Sequence, residues 1–442
     1  MLNCVVRNAR LPKGQNATNQ GLVDIAIMGD QIAQIAPSIT AQAETEIDAG
    51  GYLVAPPFVD PHFHMDATLS LGLPRLNVSG TLLEGIALWG ELKPQLTHEA
   101  VMERALRYCD LAVSQGLLSI RSHVDVCDDR LLAAEALLEV RKQVAPYIDL
   151  QLVAFPQDGL YRSKTAEQNL LRALDMGVDV VGGIPHFERT MADGGASVTR
   201  LCEIAAERGL MVDLHCDESD DPMSRHVETL AAETTRLGLG DRVVGSHVTS
   251  MHSVDNYYAS KLIPLIAESG MNIIPNPLIN ITLQGRSDTY PKRRGLTRVA
   301  ELRAAGVNVS FGQDCCMDPW YPLGSADMLE VAHMAVHALP MTSREGMAWS
   351  FDAVTVNGYK TMNLPDPTIR EGGPADMVVL QAQDQIEAVR MKATRLAVIK
   401  HGRLIAQTPA RKAALNLAGR PASVDPASYA PPASDTQSFP SG

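Results

Sequence analysis

The sequence predicts an α/β fold, a (β/α)8 barrel of the TIM type carrying a small β-sandwich built from both ends of the chain. Three observations predict it. Apolar β-type runs alternate with helix-period stretches at a spacing of roughly thirty residues. Chemically competent side chains collect at the ends of several different runs, where a barrel places its active site. Both ends of the chain are β-rich, and each is too small to bury a core alone, which points to one shared sandwich.

The elements follow in order. Leu22 to Met28 alternates apolar residues, Gly29-Asp30 reads as a turn, and Gln31 to Ile35 resumes the alternation. Eight runs then read as barrel strands, ending near His64, Val126, Phe155, Pro185, His215, Val248, Pro275 and Asp314. Helix-period segments such as Glu99 to Ser114 and Ser197 to Arg208 separate them. A doubly wound sheet is the rival architecture, but no run is followed by a GxGxxG turn. The β pattern returns in Asp376 to Leu380, Leu396 to Lys400 and Arg403 to Ile405, around His401-Gly402. From about Pro421 the chain turns to Pro, Ala and Ser, which predicts a tail draped on the surface or without fixed structure. The expected organisation is therefore 1–56 and 366–420 for the two parts of the sandwich, 57–365 for the barrel and 421–442 for the tail.

The 442 residues, 45% hydrophobic and 20% charged, suffice for one large barrel and a smaller domain. The formal charge of -13 disfavours a nucleic-acid polymer as partner and leaves a small neutral substrate open. Met1 to Pro12 lacks the apolar core of a signal peptide, and no run is long enough to span a bilayer, so no membrane association is expected. The seven cysteines, with no CxxC pair, suit free thiols in a reducing cytoplasm.

The strongest local signal is Phe58-Val59-Asp60-Pro61-His62-Phe63-His64. Residues two apart on a strand point the same way, so His62 and His64 can offer both imidazoles to one ion. A bare HxH is more often two core histidines; its position at a strand end shifts the weight. His215 ends another run, with Glu218 just beyond it in His215-Cys216-Asp217-Glu218. His247 closes Gly245-Ser246-His247, and Asp314 closes Val309 to Asp314. Each alone is an ordinary polar residue, but four strand ends converging on one mouth form a constellation.

This pattern resembles that of the amidohydrolase superfamily, and long strings are similar to its cytosine deaminase branch. They include Ala154-Phe155-Pro156-Gln157, Gly183-Ile184-Pro185-His186-Phe187-Glu188, Asn276-Pro277-Leu278, Leu283-Gln284-Gly285-Arg286, Thr289 to Gly295 and Asp318 to Gly324, and the resemblance runs to about residue 405. It implies one divalent ion, Fe2+ or Zn2+, on His62, His64, His215 and Asp314. It implies Glu218 as proton-shuttling acid and His247 as the residue holding the attacking water. Gln157 matches a residue that hydrogen-bonds the pyrimidine edge, and Trp320 matches a pocket wall. Two-metal relatives carry a Lys on the fourth strand; Val178 to Pro185 has none, so one ion is expected. Family members are often oligomers, which implies a homo-oligomer here. The roles are also physically coherent: imidazoles and one carboxylate around a divalent ion bring bound water toward neutral pKa. Asp314 can then accept a proton while Glu218 protonates the ring nitrogen.

One departure matters. Many cytosine deaminases read His-Asp-Asp where this chain reads Gln313-Asp314-Cys315. The missing carboxylate borders the reacting amine, so Cys315 puts strict cytosine preference in doubt and admits a 5-substituted cytosine such as 5-methylcytosine. Another amidine-like ring (isoguanine, creatinine or a triazine) is the alternative. Deaminases built on H-x-E with C-x-x-C are excluded, since His186-Phe187-Glu188 and His226-Val227-Glu228 have no C-x-x-C to join. A catalytically dead scaffold predicts an eroded ligand set, and here every position is filled. The run Lys292-Arg293-Arg294 reads as a solvated or salt-bridged loop rather than a phosphate site.

Overall fold

A computed structural model of the chain describes residues 2–12 and 21–429. The barrel strands are parallel and almost entirely buried, as expected when helices cover the outer face. With β1 to β5 at Leu2–Ala9, Val23–Met28, Gln31–Ala36, Ala43–Asp48 and Leu53–Ala55, the barrel begins at β6, Phe58–Phe63. It continues through β7 (Leu117–Asp125), β8 (Asp149–Phe155), β9 (Val180–Gly183), β10 (Met211–Cys216), β11 (Val243–His247) and β12 (Asn272–Ile274), paired in sequence order. The eighth run forms no regular strand, yet it closes the ring. Ser310 N donates to Ile273 O, Asp314 N to His62 O, and His64 N to Asp314 O, so residues 308–314 lie between β12 and β6. Gly312 permits this closure: a Cβ there would sit 2.4 Å from Asn276 Oδ1 and 2.8 Å from His62 Cβ.

The predicted helices are present as His98–Ser114 and Met191–Arg208, the latter starting several residues earlier than its apolar period suggests. Thr190 caps that extension by accepting from Asp193 N.

Both chain ends build the sandwich. One sheet runs β3-β2-β1-β4; the other runs β15-β14-β13-β5, with β13 Met377–Leu380, β14 Arg395–Lys400 and β15 Arg403–Gln407. Their shared core sets Val6, Ile25 and Ile27 against Met377, Val379 and Ile399. β5 belongs to the second sheet although it follows the first in sequence, and two residues later the chain enters the barrel.

The tail carries contacts before it leaves the described residues. Ser423–Val424 pairs with Ala413–Ala414, and Asp425 accepts from the Tyr52 hydroxyl at 2.5 Å and from Gln381 Nε2 at 3.1 Å. Ala427 is buried. Residues 430–442 lie outside the described residues. Truncation after Leu417 is therefore expected to cost about 1–3 kcal/mol, since it strips hydrogen bonds from Tyr52 and Gln381. Denaturant unfolding checks this; an unchanged midpoint would show those bonds to be idle.

No helix among the described residues is long and apolar enough to cross a membrane. All the cysteines in the described residues are free. The basic run is consumed by its own surroundings: Arg293 donates to Asp288, to Ser253 Oγ and to the carbonyl of Asp220, while Arg294 donates to the carbonyls of His337 and Ala338.

Candidate active site

Strand ends deliver the histidines. His62 lies on β6 and His64 follows it, both pointing inward. His215 sits near the end of β10, and His247 ends β11. Left-handed backbone recurs at this mouth, at Asp217 (φ 54), His247 (φ 67), Val248 (φ 49) and Asp314 (φ 73). Non-glycine residues adopt that conformation at a cost and cluster where function demands it.

The distances define a compact cluster. His64 Nε2 lies 3.0 Å from His215 Nε2, and Asp314 Oδ1 lies 3.4 Å from His62 Nε2 and 3.3 Å from His64 Nε2. His62 Nε2 is buried without a hydrogen-bond partner. Burial pushes His215 and His247 well below the usual histidine range, so both rings are neutral. Lone pairs facing one another beside a carboxylate are a donor set that fits a divalent cation.

Two overlapping groupings of the described residues have ligand atoms within 4.8 Å of one another: His62, His64, His123 and His215, and His62, His215, His247 and Asp314. The sequence-predicted quartet draws on both, joined through the His64–Asp314 contact. His123 was missed by sequence reasoning, although Ser122-His123-Val124 at the end of β7 carried the same strand-end signal as its neighbours. Its ring centroid lies 4.3 Å from that of His62, and burial pushes it down to about 3.

A pocket opens onto this cluster. His64, His215 and Asp314 form its floor, and Glu218, Gln157, Cys315 and Trp320 line it as well. His62 and His247 stand behind. Apolar walls come from Phe155, Ile184, Ile279 and the helix Leu82–Leu92 through Leu82 and Ile86, which no sequence motif had marked. That helix also seats Trp320: a Cβ at Gly85 would lie 2.3 Å from Trp320 Cδ1, so only glycine lets the indole approach the helix backbone this closely.

The two carboxyl groups are driven apart. Burial, reinforced by Asp314, pushes Glu218 well above the usual carboxyl range and so favours its protonated form. Burial also acts on Asp314, but His247 and then His62 and His64 outweigh it and hold Asp314 well below the usual range. Opposite shifts in one pocket are how an acid and a base are separated. Nδ1 of His247 lies 3.6 Å from Glu218 Oε1 and 2.9 Å from Asn280 Nδ2. An amide N–H donated there leaves the ring proton on Nε2, which faces Asp314 Oδ2 at 3.9 Å.

A closed parallel barrel with a His/Asp cluster under a half-apolar cavity defines a barrel hydrolase whose cluster can hold a metal. The chain belongs to the amidohydrolase family, whose profile matches residues 45–406. The solved 5-methylcytosine deaminase of Klebsiella pneumoniae liganded with 5-fluorocytosine is 43% identical, with a TM-score of 0.88, covering 92% of this chain and 98% of that one. The same enzyme liganded with phosphonocytosine superposes equally well, at 44% identity and TM-score 0.88 over 92% of this chain and 99% of that one. The N-isopropylammelide isopropyl amidohydrolase of Pseudomonas sp. strain ADP is 30% identical over 91% of this chain and 96% of its own length.

Proposed function

We propose that this chain deaminates cytosine and, at least as well, 5-methylcytosine, releasing ammonia and the corresponding uracil. In this reading one Fe2+ or Zn2+ ion is held by His62, His64, His215 and Asp314. The observation that carries it is Cys315, which lines the same cavity as Gln157, Glu218 and Asp314. The likeness to a 5-methylcytosine deaminase supports it.

The bound ion would supply Lewis acidity, allowing water to act as a nucleophile near neutral pH. The remaining work falls to the chain. Gln157 hydrogen-bonds the pyrimidine edge and sets the ring's orientation. Glu218, in its protonated form, donates to the ring nitrogen beside the amine-bearing carbon and makes that carbon electrophilic. Asp314, a carboxylate, accepts the proton lost by the attacking water. His247 donates from Nε2 toward the same oxygen. A proton returned to the exocyclic nitrogen then lets ammonia leave, so one water is consumed and one ammonia released. The apolar walls exclude competing solvent.

Cys315 governs the neighbouring ring position. Burial, followed by the charges of Asp314 and Asp318, pushes its thiol well up, so it stays neutral. A neutral thiol presents a small, weakly polar surface to a methyl group, whereas a carboxylate would impose a clash and a desolvation cost. A buried methyl group contributes about 0.8 kcal/mol, a few-fold in rate, and any larger preference comes from the absent clash. Wild type is expected to favour 5-methylcytosine or treat both alike in kcat/KM, and Cys315→Asp to shift the ratio toward cytosine. Ammonia release from cytosine, 5-methylcytosine, isoguanine and creatinine by iron- or zinc-loaded protein tests the whole reading. A wild-type preference for cytosine above about tenfold (~1.4 kcal/mol), or an unmoved ratio in the variant, overturns the role of Cys315. Release only from isoguanine or creatinine would replace the substrate.

A further inference from the structure

We infer that Ser246 is a positioning residue that fixes the tautomer and ring plane of His62, acting as the middle of a buried relay that begins at Arg121. The inference rests on the metal-centre reading above. Four side chains from four barrel strands form the relay. Arg121 Nη1 on β7 donates to Asp213 Oδ2 on β10 at 3.1 Å, and Ser246 Oγ on β11 lies 2.7 Å from Asp213 Oδ1. The same hydroxyl oxygen lies 2.9 Å from His62 Nδ1 on β6. All four are fully buried. Strand geometry puts them together: Asp213 and His215 are two apart on one inward face, and Ser246 is in register beside His215.

The direction of each proton follows from the donor inventory. A guanidinium keeps its charge, and one this deeply buried needs a paired anion, which Asp213 supplies. The Asp213 carboxylate can only accept. Ser246 has a single O–H, and donating it to Asp213 leaves only lone pairs for His62. The proton between them must therefore sit on His62 Nδ1. The bare lone pair is then on Nε2, the nitrogen that lies 3.4 Å from Asp314 Oδ1 and has no hydrogen-bond partner. A buried cation on one side of the barrel thus dictates which nitrogen faces the cluster on the other.

Zinc affinity, measured by chelator competition, tests this without any substrate. Ser246→Ala is expected to bind zinc about 10- to 100-fold more weakly, and Ser246→Thr, which keeps the hydroxyl, to return to within a few-fold. Wild-type affinity in Ser246→Ala, or a Thr variant as weak as the Ala variant, overturns the inference. A wild type that binds no zinc would instead sink the metal-centre reading. Should Ser246→Ala fail to fold, neutron diffraction from zinc-loaded wild type decides the same point. A deuteron is expected on His62 Nδ1, with the Ser246 deuteron aimed at Asp213; a Ser246 deuteron aimed at His62 Nδ1 overturns the relay.

Discussion

His64→Ala is expected to lose its bound metal and its turnover together. The His64 ring meets His215 at 3.0 Å and Asp314 at 3.3 Å, so its removal opens the cluster at its centre. Affinity at such a site depends on completing the donor set, and a missing imidazole weakens the hold on a divalent ion. Asp314→Ala should behave alike and also remove the proton acceptor. His123→Ala is the informative control. It belongs to one of the two possible groupings but not to the proposed quartet, and should keep its metal. Elemental analysis of the three purified variants decides the matter. Full occupancy in His64→Ala would refute its assignment, and loss in His123→Ala would move the ion deeper, toward β7.

Glu218→Gln should give the opposite signature, with metal retained and kcat reduced by about 10²- to 10⁴-fold, the usual worth of a positioned proton shuttle. The amide keeps the shape of the carboxyl group but cannot pass a proton to the ring. Burial and Asp314 push Glu218 toward its neutral form, so a neutral replacement should leave folding and substrate binding nearly undisturbed. The measurement is kcat per bound metal. An unchanged rate per metal with lower metal content would make Glu218 a ligand rather than an acid.

What the sequence could reveal follows from the range of each interaction. His62 and His64 were legible because a strand's period of two is local, and a pair two residues apart must share a face. Glu218, Gln157 and Trp320 were legible through their strings, and the cavity brings all three to one space. The sandwich was legible from the β patterns at both ends, though not the placement of β5 in the far sheet, since register is decided across more than 300 residues. His123, Asn280 and the Asp213–Ser246 relay were not read. Each is an ordinary polar residue within its own segment and gains meaning only from a partner far along the chain, as Ser246 does from His62 across 184 positions. The eighth run reads as a strand in the sequence, but in the structure it joins its neighbours only by isolated bridges.

The interleaved sandwich also has a consequence for biosynthesis. β1 to β4 are made long before Met377, Val379 and Ile399, which cover their apolar face. At about 5–20 residues per second, the interval from Asp48 to Met377 takes roughly 15 to 65 s. Throughout it the nascent chain carries an uncovered face of Val6, Ile25 and Ile27 while the whole barrel emerges behind it. Such a chain should depend on holdase chaperones at the ribosome more than a barrel alone would. Its vulnerable period should end abruptly with the synthesis of β13 and β14.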